Sequence, residues 1–264
     1  MSMIALGDLS TYYERHGEGE AVLLIHGLGS STEDWEPQVR ALEQFFTVVA
    51  YDVRGHGKTA KPEGAYSVRQ FAADAKLLVQ QLGLGAVHVI GLSMGGMIAF
   101  QFAADYPELV RSVVIVNSGP EMVIRSLKAR AAILQRRLIV RVMGMRRMGE
   151  VLVMRLLPGP EYAARRETFA ERWARNDKRA YLRALSAIVG WSVTDRLASI
   201  KCPVLVVAAD MDYTPVAWKQ WYTALMPNAR LVVIPASRHM MPVERPAEFH
   251  AAVIPFLSAV EAPR

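Results

Sequence analysis

Residues 86–96 read Ala86-Val87-His88-Val89-Ile90-Gly91-Leu92-Ser93-Met94-Gly95-Gly96, and this stretch decides the fold. An apolar strand-like run ends in Gly-x-Ser-x-Gly, and a helical pattern follows from Met97 to Ala104. Strand, sharp turn and helix in that order form the context in which a serine is turned outward as a nucleophile. The physics accounts for the glycines. A serine at the tip of so tight a turn leaves no room for side chains two residues to either side. The helix that follows adds unpaired N–H groups and a partial positive charge beneath the hydroxyl.

Working outward, the same grammar repeats. Upstream, Ala21-Val22-Leu23-Leu24-Ile25 stops at His26-Gly27-Leu28-Gly29-Ser30, and Phe46 to Tyr51 stops at Asp52-Val53-Arg54-Gly55-His56-Gly57. Downstream, Ser112 to Val116 ends in Asn117-Ser118-Gly119-Pro120, Pro203 to Ala209 ends in Asp210-Met211-Asp212, and Arg230 to Ile234 leads to Arg238-His239. Continuous apolar runs of this length are strands buried on both faces. Between them Val68 to Leu82 repeats Phe71, Ala75, Leu78, Val79 and Leu82 on one helical face. Strands alternating with helices make βαβ units, so the fold class is α/β: a mostly parallel twisted sheet with helices on both faces. Residues 1–15 read as an antiparallel edge hairpin, and the tail after Phe256, which ends in Glu261-Ala262-Pro263-Arg264, is expected to fray.

One segment breaks the alternation. From Glu121 to Arg196 there is no strand-like run; the residues are rich in Arg, Met, Leu and Ala, with a break at Pro158-Gly159-Pro160. The expected organisation is a core of residues 1–120 and 197–264, with a helical cap, 121–196, inserted after the fourth core strand. The net charge of +6 is concentrated there: Gly119 to Leu197 holds 17 Lys or Arg against 7 Asp or Glu, and the rest of the chain holds 14 against 18. The plainest reading is a solvated helical surface on which Arg stems cover apolar area. An anionic small-molecule substrate is the next reading. A membrane surface is less favoured, and nucleic acid least, because no recognition motif is present.

Just over half of the residues are apolar, which fits a globular domain rather than a disordered chain. The single cysteine, Cys202, excludes an intramolecular disulfide and argues against a thiolate metal site. Neither a basic start with a long apolar stretch nor a run of about 18 apolar residues is found, so a cytoplasmic location is expected. Oligomeric state leaves no mark in the sequence.

Four residues are candidates for the chemistry around Ser93. His239 lies just past the last strand, at the carboxyl edge where such sheets place their sites, and is the candidate general base. His16, His88 and His250 fall on strands or helices, and His56 in a structured loop. The candidate acid lies at the end of the fifth strand, because the order Ser, acid, His is the one this fold uses. Asp212 is chosen over Asp210, which is read as a loop residue bonding backbone; Asn117 cannot serve as an acid. The N–H of Met94 and of Leu28, in the loop after the first core strand, are the candidate oxyanion donors.

Together these residues resemble the α/β-hydrolase family of serine hydrolases along essentially the whole chain. The match comprises His26-Gly27-Leu28-Gly29, Asp52-Val53-Arg54-Gly55-His56-Gly57-Lys58-Thr59, Gly91 to Met97, Ala209-Asp210-Met211-Asp212-Tyr213-Thr214-Pro215 and Ser237-Arg238-His239. The family's acid follows a Gly-x-x-Asp pattern; here Ala209 replaces the glycine. Around Gly91 to Ile98 the likeness is to carboxylesterases and enol-lactonases of the 3-oxoadipate type. A serine at 93 argues against dehalogenases and epoxide hydrolases, which place an aspartate there. The resemblance implies hydrolysis of an ester, lactone or thioester through Ser93, His239 and Asp212, without metal or cofactor. The alternatives on the same triad are C–C bond hydrolysis, acyl transfer or perhydrolysis. A non-catalytic ligand receptor on a hydrolase scaffold is the alternative outside enzymology.

Overall fold

The computed structural model describes residues 2–260; of the tail after Phe256 that is expected to fray, Leu257 and Ser258 instead continue the last helix, with Leu257 buried against the core, and Glu261–Arg264 lie outside the described residues. Among the described residues the strands are β1 (Ser2–Leu6), β2 (Leu9–His16), β3 (Ala21–Ile25), β4 (Thr47–Tyr51), β5 (Val87–Leu92), β6 (Val110–Val116), β7 (Val204–Ala209) and β8 (Ala229–Ile234). The helices are α1 (Glu36–Leu42), α2 (Val68–Gln81), α3 (Met94–Asp105), α4 (Leu127–Leu156), α5 (Ala163–Ala174), α6 (Lys178–Ile188), α7 (Val216–Thr223), α8 (Met241–Glu244) and α9 (Pro246–Ser258).

All eight strands join one sheet in the order β1-β2-β4-β3-β5-β6-β7-β8. The hairpin β1–β2 is antiparallel and β2 runs antiparallel to β4, whereas every pair from β4 to β8 is parallel. The N-terminal residues thus form the edge hairpin that their sequence implies. Every residue of β3, β4, β5 and β7 is buried, which requires helices on both faces. Helices α2 and α3 pack against each other, and α1 pairs separately with α9.

The helix boundaries follow local chemistry. Ser67 caps α2 by accepting the Gln70 N–H, and Phe71, Ala75, Leu78 and Val79 form its buried face, as their spacing predicts. The segment between β6 and β7 carries α4, α5 and α6, with a break between α4 and α5 that contains Pro158-Gly159-Pro160. A feature not anticipated is a kink at Gly144, whose φ of 81° and ψ of −178° interrupt α4. That conformation is open to glycine and strained for other residues.

Two loops at the carboxyl edge are pinned by buried polar groups. The Asp52 carboxylate accepts the N–H groups of Thr32 (2.8 Å) and Lys58 (2.7 Å), and Arg54 makes a two-pronged ion pair with Asp74. His26 accepts the Val53 N–H through Nε2 (3.0 Å) and donates from Nδ1 to Gly27 O (2.8 Å), so it is neutral and ties the loop after β3 to the loop after β4. Its ring meets that of His56 edge to face at 5.2 Å. Burial pulls His26 down to about 4. Burial, with the neighbouring His26 as the next cause, pulls His56 down to about 3.

Both shifts lie below the ordinary histidine value of 6.5. Stability from these neutral histidines is therefore complete above about pH 6.5 and is lost as pH falls toward about 4. Thermal melts taken from about pH 7.5 down to about pH 4.5 should show a falling Tm, with a shallower slope in His26→Gln. A Tm that stays level across that range would contradict the assignment of both rings as buried and neutral.

Candidate active site

The turn at Ser93 is built by backbone contact. A Cβ on Gly91 would stand 2.2 Å from Gly95 O, and one on Gly95 would stand 2.0 Å from Ile25 O. Both distances are far inside van der Waals contact, so only glycine lets α3 start this close to β5 and β3. Ser93 itself takes φ 56° and ψ −115°, a conformation unfavourable for a residue with a side chain. Its N–H is held by Val116 O (3.0 Å), and its own carbonyl accepts the Gly96 N–H (2.9 Å) and the Ser118 hydroxyl (2.6 Å). These bonds over-determine the strained turn.

The loop after β3 lies against this turn: a Cβ on Gly27 would sit 3.5 Å from Ser93 Cβ. Its next N–H, on Leu28, and the N–H of Met94 at the first position of α3 bond no protein acceptor among the described residues. Two donors are thus left free, one on the turn at Ser93 and one on the loop against it, and free N–H groups are what an oxyanion requires.

Asp212 and His239 meet at the opposite side of the site. The Asp212 side chain is fully buried and carries three bonds. His239 Nδ1–H donates to Oδ1 (2.9 Å), Lys219 Nζ donates to Oδ2 (2.7 Å), and the Thr214 hydroxyl also donates to Oδ2. Burial of the carboxylate raises its pKa, but the His239 bond and charge and the Lys219 ammonium outweigh it and hold Asp212 at about 2. An ionised carboxylate only accepts, so the imidazole proton sits on Nδ1 and Nε2 is left as an acceptor. Asp210, the alternative, instead accepts the N–H groups of Ala236 (3.1 Å) and Ser237 (3.2 Å) and shapes the turn before His239.

Three further residues belong to the site and were not found by sequence reasoning. Asn117, set aside as unable to be the acid, joins three strand ends. Its Nδ2 donates to Arg238 O and His239 O (both 3.0 Å), and its Oδ1 accepts the Ala209 N–H (2.8 Å). Lys219 projects from α7, is fully buried, and also donates to Thr214 O (3.0 Å). Tyr213 lies over His239, with ring centroids 4.3 Å apart, and donates its hydroxyl to Nε2 (2.8 Å). The Nε2 lone pair is thus held by Tyr213. Only the adjacent Asp-Tyr-Thr-Pro run signalled Tyr213; Asn117 and Lys219 carry no local signal.

Lys219→Met would leave Asp212 buried with one cationic partner fewer. Denaturant titration should show a loss of about 3–5 kcal/mol, the usual cost of breaking a buried pair. The double variant Asp212→Asn/Lys219→Met should be less destabilised than Lys219→Met alone. Equal stability of wild type and Lys219→Met would remove the ion pair as a structural element.

Comparison with known proteins agrees with this geometry. Residues 20–138 match the family model described as alpha/beta hydrolase fold. A protein of Variovorax paradoxus named "Putative carbamate hydrolase RutD" is 32% identical, over 96% of this chain and 97% of its own. "3-oxoadipate enol-lactonase 2" of Acinetobacter baylyi is 28% identical, over 93% and 92%. The enol-lactonase of Burkholderia xenovorans LB400 superposes with a TM-score of 0.89 at 25% identity, covering 97% of this chain and all of its own. A thermophilic esterase from Thermogutta terrifontis gives 0.87 at 26%, covering 96% and 95%. With a relative 32% identical over nearly the full length of both chains and the family model matched across residues 20–138, the chain belongs to the α/β-hydrolase family.

Proposed function

We propose that the protein hydrolyses a carboxylic ester, lactone or thioester of a small molecule through Ser93, His239 and Asp212. The observation that carries this reading is the convergence on one strand edge of three things: a serine on a strained turn, two unbonded N–H groups beside it, and an imidazole whose Nδ1–H is fixed by a buried, ionised carboxylate. Each has a use in acyl transfer and none is needed for folding alone.

The steps follow from the groups present. Tyr213 first leaves His239 Nε2, which frees the lone pair. Ser93 Oγ attacks the carbonyl carbon while Nε2 takes its proton, and the carbonyl oxygen becomes an oxyanion facing the Leu28 and Met94 N–H groups. Asp212 stabilises the imidazolium without taking the proton. His239 then gives that proton to the departing alkoxide or thiolate, leaving an acyl-serine. A water molecule, deprotonated by Nε2, attacks the acyl carbon, and the proton returns to Ser93 as the acid departs. The residues between β6 and β7 act as the cap over this site.

A second reading keeps the same steps with a carbamate as the acyl donor. It rests on the name of the 32% identical relative, and release of ammonia or amine in place of alcohol distinguishes it.

Labelling with a fluorophosphonate and turnover of short p-nitrophenyl esters test the proposal. Wild type should be labelled at Ser93 and Ser93→Ala should not, with kcat lowered by about 10⁶-fold in the variant. His239→Ala should lose a comparable factor. Folded wild type that resists labelling, or Ser93→Ala with wild-type turnover, would reject the mechanism. Tyr213→Phe removes the hydroxyl from Nε2, and its labelling rate should equal or exceed that of wild type.

A further inference from the structure

Before its kink at Gly144, α4 is apolar on two opposite sides. The inward side carries Val140, which is fully buried, and Ile133, packed against the core. On the outward side Leu127, Ala131, Leu134, Leu138 and Val142 follow at intervals of four, three, four and four residues, which keeps them on one stripe. All five are exposed, and the four larger ones are 56% to 83% exposed. Apolar residues exposed singly are ordinary. Four large ones along about 22 Å of one helix form a patch that water covers at a cost in proportion to its area.

The residues beside the stripe are cations. With about 3.6 residues per turn, Arg130, Arg137 and Arg141 line one flank and Lys128 stands on the other. Residues 122–149 contain no Asp or Glu. Ion pairs near this helix involve Arg125, Arg146 and Arg147, and among the described residues none involves the four flanking cations. Lys128, Arg130 and Arg141 are exposed, and Arg137 donates to the Ser186 hydroxyl (3.1 Å), a neutral partner that leaves its charge uncompensated.

This pairing of an apolar stripe with unopposed positive charge selects what can cover it. A second copy packed stripe to stripe would set cations against cations in either direction, with no acidic residue in the stretch to offset them. An anionic bilayer surface accommodates both features. Leu and Val side chains enter the boundary between headgroups and acyl chains, while the Lys and Arg stems lie along them and carry their charges to the phosphates. Composition alone makes lipid a less favoured reading of the basic segment, because it does not show that these apolar residues face outward.

We propose that residues 127–143 of α4 form an interfacial helix that seats the cap on an anionic membrane surface, lying parallel to its plane.

Co-sedimentation of the full chain with vesicles tests this. Wild type should pellet with phosphatidylcholine–phosphatidylserine vesicles of about 70:30 at low salt, and bind at least about 10-fold more weakly to phosphatidylcholine alone or in about 1 M salt. Leu134→Gln/Leu138→Gln and Arg130→Gln/Arg141→Gln, all at exposed positions, should keep the wild-type Tm and each lose at least about 10-fold in binding to the mixed vesicles. Leu134→Trp keeps the stripe apolar, and its added emission should shift to the blue on the mixed vesicles. Wild type that stays in the supernatant at low salt would overturn the proposal. Full binding by Leu134→Gln/Leu138→Gln, or an added emission in Leu134→Trp unchanged from water, would reduce the contact to charge alone and reject insertion. A lipid-free dimer that dissociates in Leu134→Gln/Leu138→Gln, seen by sedimentation equilibrium, would assign the stripe to a second copy and reject the membrane.

Discussion

The structure depends on how closely two backbones approach at Gly95. With the Ile25 carbonyl oxygen only 2.0 Å from where a Cβ would be, α3 begins directly against the end of β3. That approach brings the Gly27-Leu28 loop alongside Ser93, where the Leu28 and Met94 N–H groups bond no protein acceptor among the described residues. It also forces Ser93 into a strained turn, which the bonds from its N–H to Val116 O and to its carbonyl from Gly96 and Ser118 hold in place. Sheet register, helix start and reactive geometry are thus fixed by one steric condition. The sheet supplies the rigidity: strands buried on both faces shift little, so groups at their carboxyl ends keep their relative positions.

A second constraint is electrostatic. Asp212 is an anion removed from water, and three donors compensate it: the His239 imidazole, the Lys219 ammonium and the Thr214 hydroxyl. The lysine has two consequences. It keeps the carboxylate ionised, and so fixes the imidazole proton on Nδ1. It also couples the site to α7, since a shift of that helix moves Nζ away from Oδ2. Burial lowers the Lys219 pKa and Asp212 opposes that effect, so each charge depends on the other remaining in place. Asn117 completes the frame by spanning the ends of β6 and β7 and the carbonyls of Arg238 and His239. A carboxamide suits this position because it both donates and accepts, as a carboxylate does not.

The helices between β6 and β7 show how composition and function separate. The segment is basic as a whole, yet its charges are distributed unequally between carboxylate partners, water and the interior. Ion pairs of Arg172 and Arg175 with Asp34 and Glu33 tie α5 to the segment before α1. Arg136 instead donates its Nε–H to the Tyr181 hydroxyl. Among the described residues no helix is long and apolar enough to cross a membrane.

The sequence by itself determined the α/β architecture, the edge hairpin, the positions of the strand ends, and Ser93, Asp212 and His239 as the residues to watch. These were legible because their causes are local. A run of Val and Ile marks a buried strand, and Gly91 and Gly95 mark a turn that admits no Cβ. The Asp210–Asp212 choice was legible by spacing alone. Tertiary structure decided the rest. Asn117 bonds partners more than ninety positions away, Lys219 reaches Asp212 from the far end of a helical turn, and Arg136 meets Tyr181 across 45 positions. The kink at Gly144 and the Tyr213 hydroxyl on Nε2 likewise depend on what lies nearby in space. Side-chain direction and burial are set by long-range packing, so a sequence pattern shows which residue types can do chemistry, and only the fold shows which of them meet.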